Sequence, residues 1–126
     1  MSDDASRLEK GREMFAAIYG RQVPIPQGAA YTDFTDLMLK NLFGDLWGRE
    51  TMSVRDRRLI ILGAIAAVAP DPSMLIEIQL RAALDNGELE RDQLREIALI
   101  LTQYIGYPRA IPVMQTVEKI LADKQG

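Results

Sequence analysis

The sequence predicts one all-α domain of about six helices, and three observations lead to that fold class. The chain has 126 residues, of which 48% are apolar and only 6% aromatic. Most of the apolar residues are Leu, Ile, Ala and Met, which are common in helices. Apolar residues recur at spacings of three and four, with proline or glycine between the periodic stretches. We therefore expect a helical bundle that uses residues 1–126 as a single domain.

The helices are predicted in chain order from their apolar spacing and their end signals. The first opens near Asp3 and ends at Gly20, and a linker with Pro24 and Pro26 follows. Thr32 is the expected cap of the second helix. Its apolar stripe consists of Phe34, Leu37, Met38, Leu42 and Leu46. The predicted helices cover residues 1–20, 32–46, 54–69, 71 or 73 to 85, 90–105 and 108–122.

The later helices carry clearer signals at their ends. Ser53 is the expected cap of the third helix, which is apolar nearly all round after Leu59 and should be central in the fold. The dipeptide Asn86-Gly87 should end the fourth helix in a left-handed turn. Pro112 is expected in the first turn of the last helix, where proline is tolerated.

The composition excludes several classes of chemistry. The chain has no cysteine and no histidine, so disulfides, redox thiols and imidazole catalysis are all excluded. A metal site would have to be built from carboxylates alone, so we predict no metal. The formal net charge is −3 with interspersed charges, which predicts no nucleic-acid partner.

The same composition predicts a cytoplasmic protein with no membrane partner. The longest strongly apolar run, Leu59–Pro70, is too short to span a bilayer. The first residues are charged and contain no apolar core of an export signal.

Two predicted helices have more apolar surface than one chain can cover. Both the stretch from Leu59 to Ala69 and the stretch from Leu94 to Ile105 leave apolar residues on several helix faces. We therefore expect the chain to self-associate.

Three blocks of residues carry a resemblance to a known family. Phe43–Arg49 and the following Met52–Arg58 resemble the pattern F-G-x-x-W-x-R … L-S-x-R-x-R. Gln79–Gly87 is similar to H-x-R-A-A-L-x-N-G, and Leu94–Ile97 with Tyr104–Ala110 is similar to [IL]-x-E-[VI] … Y-A-G-x-P-x-A. In this order and near this spacing, the blocks resemble the carboxymuconolactone decarboxylase family, which includes the alkylhydroperoxidase D-like proteins.

The resemblance implies a fold, an assembly and an activity. It implies an all-helical subunit of the alkylhydroperoxidase D-like type, assembled as a homotrimer or homohexamer, with a site among helices near subunit contacts. The decarboxylase branch of the family works without a metal or organic cofactor, so the resemblance implies none here. The peroxidase branch needs a cysteine pair, and this chain has no cysteine.

The chain departs from the family pattern at positions that matter for chemistry. Gln79 stands where the family usually has histidine, and Arg58 stands where glutamate is common. Ile100 stands where glutamine or histidine is often found, and the Ala69–Pro72 turn is about two residues longer than usual. These departures put the usual acid–base step in question.

Six residues are the candidates for the remaining chemistry. Decarboxylation of a carboxylated lactone builds negative charge on the lactone carbonyl and then requires a proton on carbon. Arg49 and Arg81 are the candidate cations for substrate carboxylates, and Trp47 is a candidate substrate contact. The candidate catalytic groups are Gln79, Glu96 and Tyr104. Each also has a structural interpretation, as a helix contact, a first-turn glutamate or a core ring.

Two functions are compatible with these residues. The first is a cofactor-free lyase that acts on a small carboxylated lactone or related acid. The second is a non-catalytic, ligand-binding or structural oligomer that has kept the fold and lost the acid–base residues.

Overall fold

The computed structural model describes residues 3–123, and in this range it is all-helical with no strand. It confirms the predicted fold class. The six α-helices are α1 (Asp4–Tyr19), α2 (Asp33–Leu37), α3 (Val54–Val68), α4 (Ser73–Asp85), α5 (Arg91–Ile105) and α6 (Tyr107–Ala122). A π-helix, Met38–Trp47, continues directly from α2. Short 3₁₀ turns cover Gly20–Gln22 and Gly28–Ala30.

The chain forms two compact units, Met1–Val54 and Arg55–Gly126. In the first unit, α1 packs closely against the π-helix because glycines face the contact. A Cβ atom added to Gly11 would lie 1.9 Å from the carbonyl oxygen of Leu39, and one added to Gly44 would lie 2.7 Å from that of Arg7. The single domain over residues 1–126 stays a prediction.

Aromatic rings fill the interior of the first unit. The Phe15 ring lies 4.9 Å from both the Tyr19 ring and the Phe43 ring, with edge-to-face geometry. Trp47 stacks on Phe43 at 6.4 Å and is only 3% exposed. These rings come from helices that are far apart in sequence, so the aromatic cluster joins α1 to the π-helix.

The interpretation of residues 32–46 as one α-helix with an inward apolar stripe was wrong. Thr32 occupies the cap position, but its side chain makes no capping bond. Four members of the stripe are exposed: Phe34 77%, Leu37 59%, Leu42 39% and Leu46 54%. The buried residues of this segment are Thr35, Leu39, Phe43, Gly44 and Trp47. The predicted positions Phe34, Met38, Leu42 and Leu46 are four residues apart, as are four of the buried ones, so the error is one of face. The buried face lies one position further along the chain, where Phe43 and Trp47 join the aromatic cluster.

In the second unit, α3, α4, α5 and α6 enclose an aliphatic core. Its fully buried members include Leu62, Leu80, Leu94, Val117 and Ile120. The α3 helix contributes Leu62 and Ala66 to this core, but its Ile60 and Val68 are 59% and 78% exposed, so α3 is not central in the fold as predicted. No helix in residues 3–123 is both long enough and apolar enough to cross a membrane.

Local signals set the ends of these helices. Gly87 has a φ of 70°, which confirms the left-handed turn after α4. Glu90 and Gln93 form a reciprocal capping box at the start of α5. Pro112 is the sixth residue of α6 and so lies beyond its first turn, contrary to prediction. The Arg109 guanidinium donates to the Ala66 carbonyl at 2.7 Å and also to that of Ala69, at the end of α3.

Candidate functional site

A fully buried arginine lies in the second unit. The side chain of Arg58, on α3, is 1% exposed, and Glu88 faces it with a side chain that is 12% exposed. The Arg58 Nε donates to Glu88 Oε1 at 2.6 Å, and Nη2 donates to Oε2 at 3.0 Å. This two-point geometry is the strong form of an arginine–carboxylate pair, and it neutralises the buried cation.

Gln79 completes this cluster from α4. It is 5% exposed, and its Oε1 accepts a hydrogen bond of 2.9 Å from Arg58 Nη1. The guanidinium therefore binds both a carboxylate and an amide. We call Arg58, Gln79 and Glu88 the buried polar cluster.

Glu88 is held in place by the turn that follows α4. The left-handed Gly87 lets the chain reverse, and the Glu88 N–H donates to the Ala83 carbonyl at 2.9 Å. Arg55 Nε donates to the Glu88 carbonyl at 3.0 Å, and Asn86 Nδ2 donates to Glu88 Oε2 at 3.1 Å. The Glu88 backbone is thus held at both its N–H and its carbonyl, and Asn86 joins Arg58 in holding its carboxylate.

The chemistry available in the buried polar cluster is hydrogen-bond donation. The Gln79 amide can donate and accept but cannot transfer a proton near neutral pH, and a guanidinium only donates. An arginine–carboxylate pair provides no free base. The cluster can therefore orient or stabilise an oxygen atom of a bound molecule, but it does not supply acid–base catalysis like that of a histidine.

Arg81 lies in a surface ion-pair network between α4 and α6. Its Nε donates to Glu77 at 2.9 Å, and its Nη1 donates to Asp123 at 3.1 Å. Lys119 Nζ donates to the other Glu77 oxygen at 2.9 Å. The hydrogen bonds from Lys119 and then Arg81 hold the pKa of Glu77 below its usual value. Arg81 is thus engaged by carboxylates of its own chain.

Glu96 and Tyr104 are both exposed on α5, where Tyr104 is 81% exposed. They lie four residues on either side of Ile100, which is 58% exposed, so the three share one helix face. Gln79, the third candidate catalytic residue, is on α4 and not on this face, and its side chain accepts a hydrogen bond from Arg58. Glu96 would have to be buried to act as a proton donor, and a single copy of the chain leaves its side chain exposed.

Trp47 and Arg49 belong to the first unit. Trp47 is part of the aromatic cluster, where it packs against Phe43. Arg49 is exposed just after the π-helix. The six predicted site residues are therefore divided between the units, and their roles stay predictions.

Sequence reasoning missed two members of the buried polar cluster. Arg58 was considered as a departure from the family pattern and as one of several clustered arginines but was not chosen as a site residue, and Glu88 was not considered. The available signal was the Asn86-Gly87 turn, because the residue after it returns toward the end of α4.

The sequence pattern of the carboxymuconolactone decarboxylase family matches residues 32–119, more than half of the chain. This chain belongs to the carboxymuconolactone decarboxylase family. A curated relative is the protein named 4-carboxymuconolactone decarboxylase of Acinetobacter baylyi (strain ATCC 33305 / BD413 / ADP1). It is 25% identical over 91 residues, which are 72% of this chain and 66% of the relative. The chain thus aligns with slightly less than two thirds of that protein.

The two main departures of this chain from the carboxymuconolactone decarboxylase family pattern lie side by side in the structure. Gln79 and Arg58, which replace the usual histidine and glutamate, are in direct contact. An arginine beside a histidine would oppose protonation of the imidazole, whereas an arginine beside a glutamine forms a stable hydrogen bond. Arg58 and Gln79 are therefore compatible neighbours in this chain, and Glu88 provides the carboxylate that neutralises Arg58.

A second feature of the second unit is an apolar groove between α5 and α6. Its volume is about 330 Å³, and its walls are formed mainly by Ala98, Leu99, Ala110, Ile111 and Met114. Arg95 and Glu118 also line it and form an ion pair of 2.9 Å. Among residues 3–123, no group of three or more acidic side chains is placed to hold a metal ion. The absence of a cofactor stays a prediction.

Proposed function

We propose that this chain is a cofactor-free carboxy-lyase that acts on a small carboxylated lactone or related acid at the buried polar cluster. Family membership and the name of the curated relative support this class of substrate. The observation that carries the proposal is the Gln79 amide, held by Arg58 at the position where the family has its histidine.

The proposed reaction divides the work between the chain and solvent. The bond from carbon to the departing CO₂ breaks, and its electron pair moves onto the conjugated lactone, so that the carbonyl oxygen becomes negative. The Gln79 amide N–H stabilises that oxygen. A proton from water then adds to carbon. Tyr104 and Glu96 are proposed to contribute only where a second copy encloses the exposed α5 face.

Gln79→Ala is expected to lower kcat by about 100-fold or more, because one donor to the developing negative charge is lost. The measurement is CO₂ release and loss of substrate absorbance with 4-carboxymuconolactone. The matched control is Gln115→Ala, which removes an exposed glutamine on α6 and should keep wild-type kcat. A wild-type protein that releases no CO₂ would contradict the proposed activity for this substrate.

A second candidate function is a ligand-binding or structural oligomer without turnover. The observation that favours it is that Glu88 and Gln79 already accept hydrogen bonds from three nitrogens of Arg58, in a chain without histidine. Calorimetric titration with the same lactone separates the two functions. Binding without CO₂ release would establish the second candidate and exclude the first.

We also propose that the exposed apolar face of α5 and α6 is covered by further copies of this chain, as a trimer or a hexamer. Its most exposed members are Leu99, Ile100, Tyr104 and Tyr107, at 58–81%. Ile111, 45% exposed, extends this face along α6.

Ile111→Glu is expected to convert the oligomer to monomer, because a charge would be buried without a partner. Sedimentation velocity at micromolar concentration measures the mass. Gln27→Glu adds the same charge at an exposed polar position outside α5 and α6 and should leave the assembly intact. A monomeric wild-type chain would overturn the proposal.

A further inference from the structure

The first unit has an exposed apolar surface of its own, formed by the apolar stripe of α2 and the π-helix. Phe34, Leu37, Leu42 and Leu46 are 39–77% exposed. Gly44 faces α1, since a Cβ atom there would lie 2.7 Å from the Arg7 carbonyl oxygen. Leu42 and Leu46 are each two positions from Gly44, which is about half a turn of the helix. The stripe therefore lies on the side turned away from α1.

The charges at the two ends of the stripe are opposite. Asp33 lies beside Phe34 in the first turn of α2, and the Arg49 N–H donates to the Leu46 carbonyl at 3.2 Å. Both charged residues are exposed, and Glu50 lies one position further from the stripe. Two stripes that pack antiparallel bring Asp33 of each copy near Arg49 of the other, whereas parallel packing brings like charges together. The stripe is thus complementary to itself in the antiparallel direction.

The size of the stripe determines how many copies must act together. Its exposed side chains present apolar surface on the order of 300 Å². A stable contact between two proteins needs about 800 Å² from each partner. One stripe is too small to hold two single copies together, but three stripes act together when two trimers meet.

Building on the self-association proposed for α5 and α6, we propose that two trimers of this chain pair through their apolar stripes, antiparallel across two-fold axes. The occupant of each stripe is the same stripe of a second copy. Phe34 of each copy packs against Leu46 of the other, and Asp33 pairs with Arg49 at both ends. This contact selects the hexamer over the trimer.

Leu42→Glu is expected to halve the mass measured by sedimentation velocity, from hexamer to trimer, because glutamates would be buried in the two-fold contacts without partners. Gln27→Glu, with the same charge at an exposed polar position, should keep the hexamer. A Leu42→Glu protein that stays hexameric would overturn the stripe contact. A wild-type trimer would also overturn it, leaving the α5–α6 contact intact and the stripe to a different kind of partner. A wild-type monomer would overturn both contacts.

Introduced cysteines test the antiparallel direction, since the chain has no cysteine of its own. The double variant Phe34→Cys, Leu46→Cys should form covalent dimers on oxidation. Each single variant should stay unlinked, because like positions then lie at opposite ends of the contact. Single variants that link as fast as the double variant would overturn this direction.

Reversal of the end charges provides a second test of the same contact. Asp33→Arg and Arg49→Asp should each weaken the pairing of trimers about tenfold at low ionic strength, and the two together should restore it. A double reversal that pairs no more tightly than the single variants would contradict the antiparallel contact.

Discussion

Glu88→Gln is expected to lower the free energy of unfolding by about 3–5 kcal/mol, because it leaves the buried Arg58 cation without its counter-charge. Chemical denaturation followed by circular dichroism measures the change, and the melting temperature should fall by about 10 °C or more. Replacing the pair together, as Arg58→Met with Glu88→Met, should restore most of the loss, because neither charge then remains buried alone.

The matched control for Glu88→Gln is Glu118→Gln on α6. Glu118 forms an equally close pair with Arg95, at 2.9 Å, but both side chains are about half exposed. Solvent screens such a pair, so the control should leave stability almost unchanged. Equal effects of the two substitutions would mean that the Arg58 site is more hydrated than its burial indicates.

Gly11→Ala is expected to cost about 3 kcal/mol or more, because the new methyl group would lie 1.9 Å from the Leu39 carbonyl oxygen. Backbone atoms lie on both sides of this contact, so α1 and the π-helix would have to separate. Trp47, the single tryptophan of the chain, reports on this separation through its fluorescence. Its emission should shift to longer wavelength as the aromatic cluster becomes hydrated.

The matched control for Gly11→Ala is Gly63→Ala in the middle of α3. A Cβ atom there would meet nothing within 4 Å, and alanine is favoured over glycine in a helix by about 0.5–1 kcal/mol. This control should therefore be neutral or stabilising, with unchanged fluorescence. A Gly11→Ala protein that behaves like the control would contradict the close packing of α1 on the π-helix.

The helices of the second unit could be predicted because their end signals are local. Pro70 and Pro72 separate α3 from α4, Gly87 ends α4, and Gly106 separates α5 from α6. Each predicted boundary there depended on residues within a few positions of the helix end. The π-helix was missed because nothing in a single apolar pattern shows which period the backbone will adopt.

The candidate site was only partly predictable. The family pattern pointed to Gln79, and the structure places it in the buried polar cluster. The pairing of Arg58 with Glu88 joins residues 30 positions apart, so it depends on the packing of α3 against the end of α4. Glu96 and Tyr104 were chosen for their chemistry, but their exposure is set by which face of α5 meets the core.

The π-helix also makes the length of this segment a structural constraint. Its hydrogen bonds reach one residue further than those of an α-helix, so it holds more residues per turn. Deleting one residue between Met38 and Leu42, with the π-helix kept, would move every later residue of this segment by one position. Phe43 and Trp47 would then turn toward the side where Leu42 and Leu46 now contact solvent. Shortening this segment by one residue should therefore do more harm than most substitutions within it.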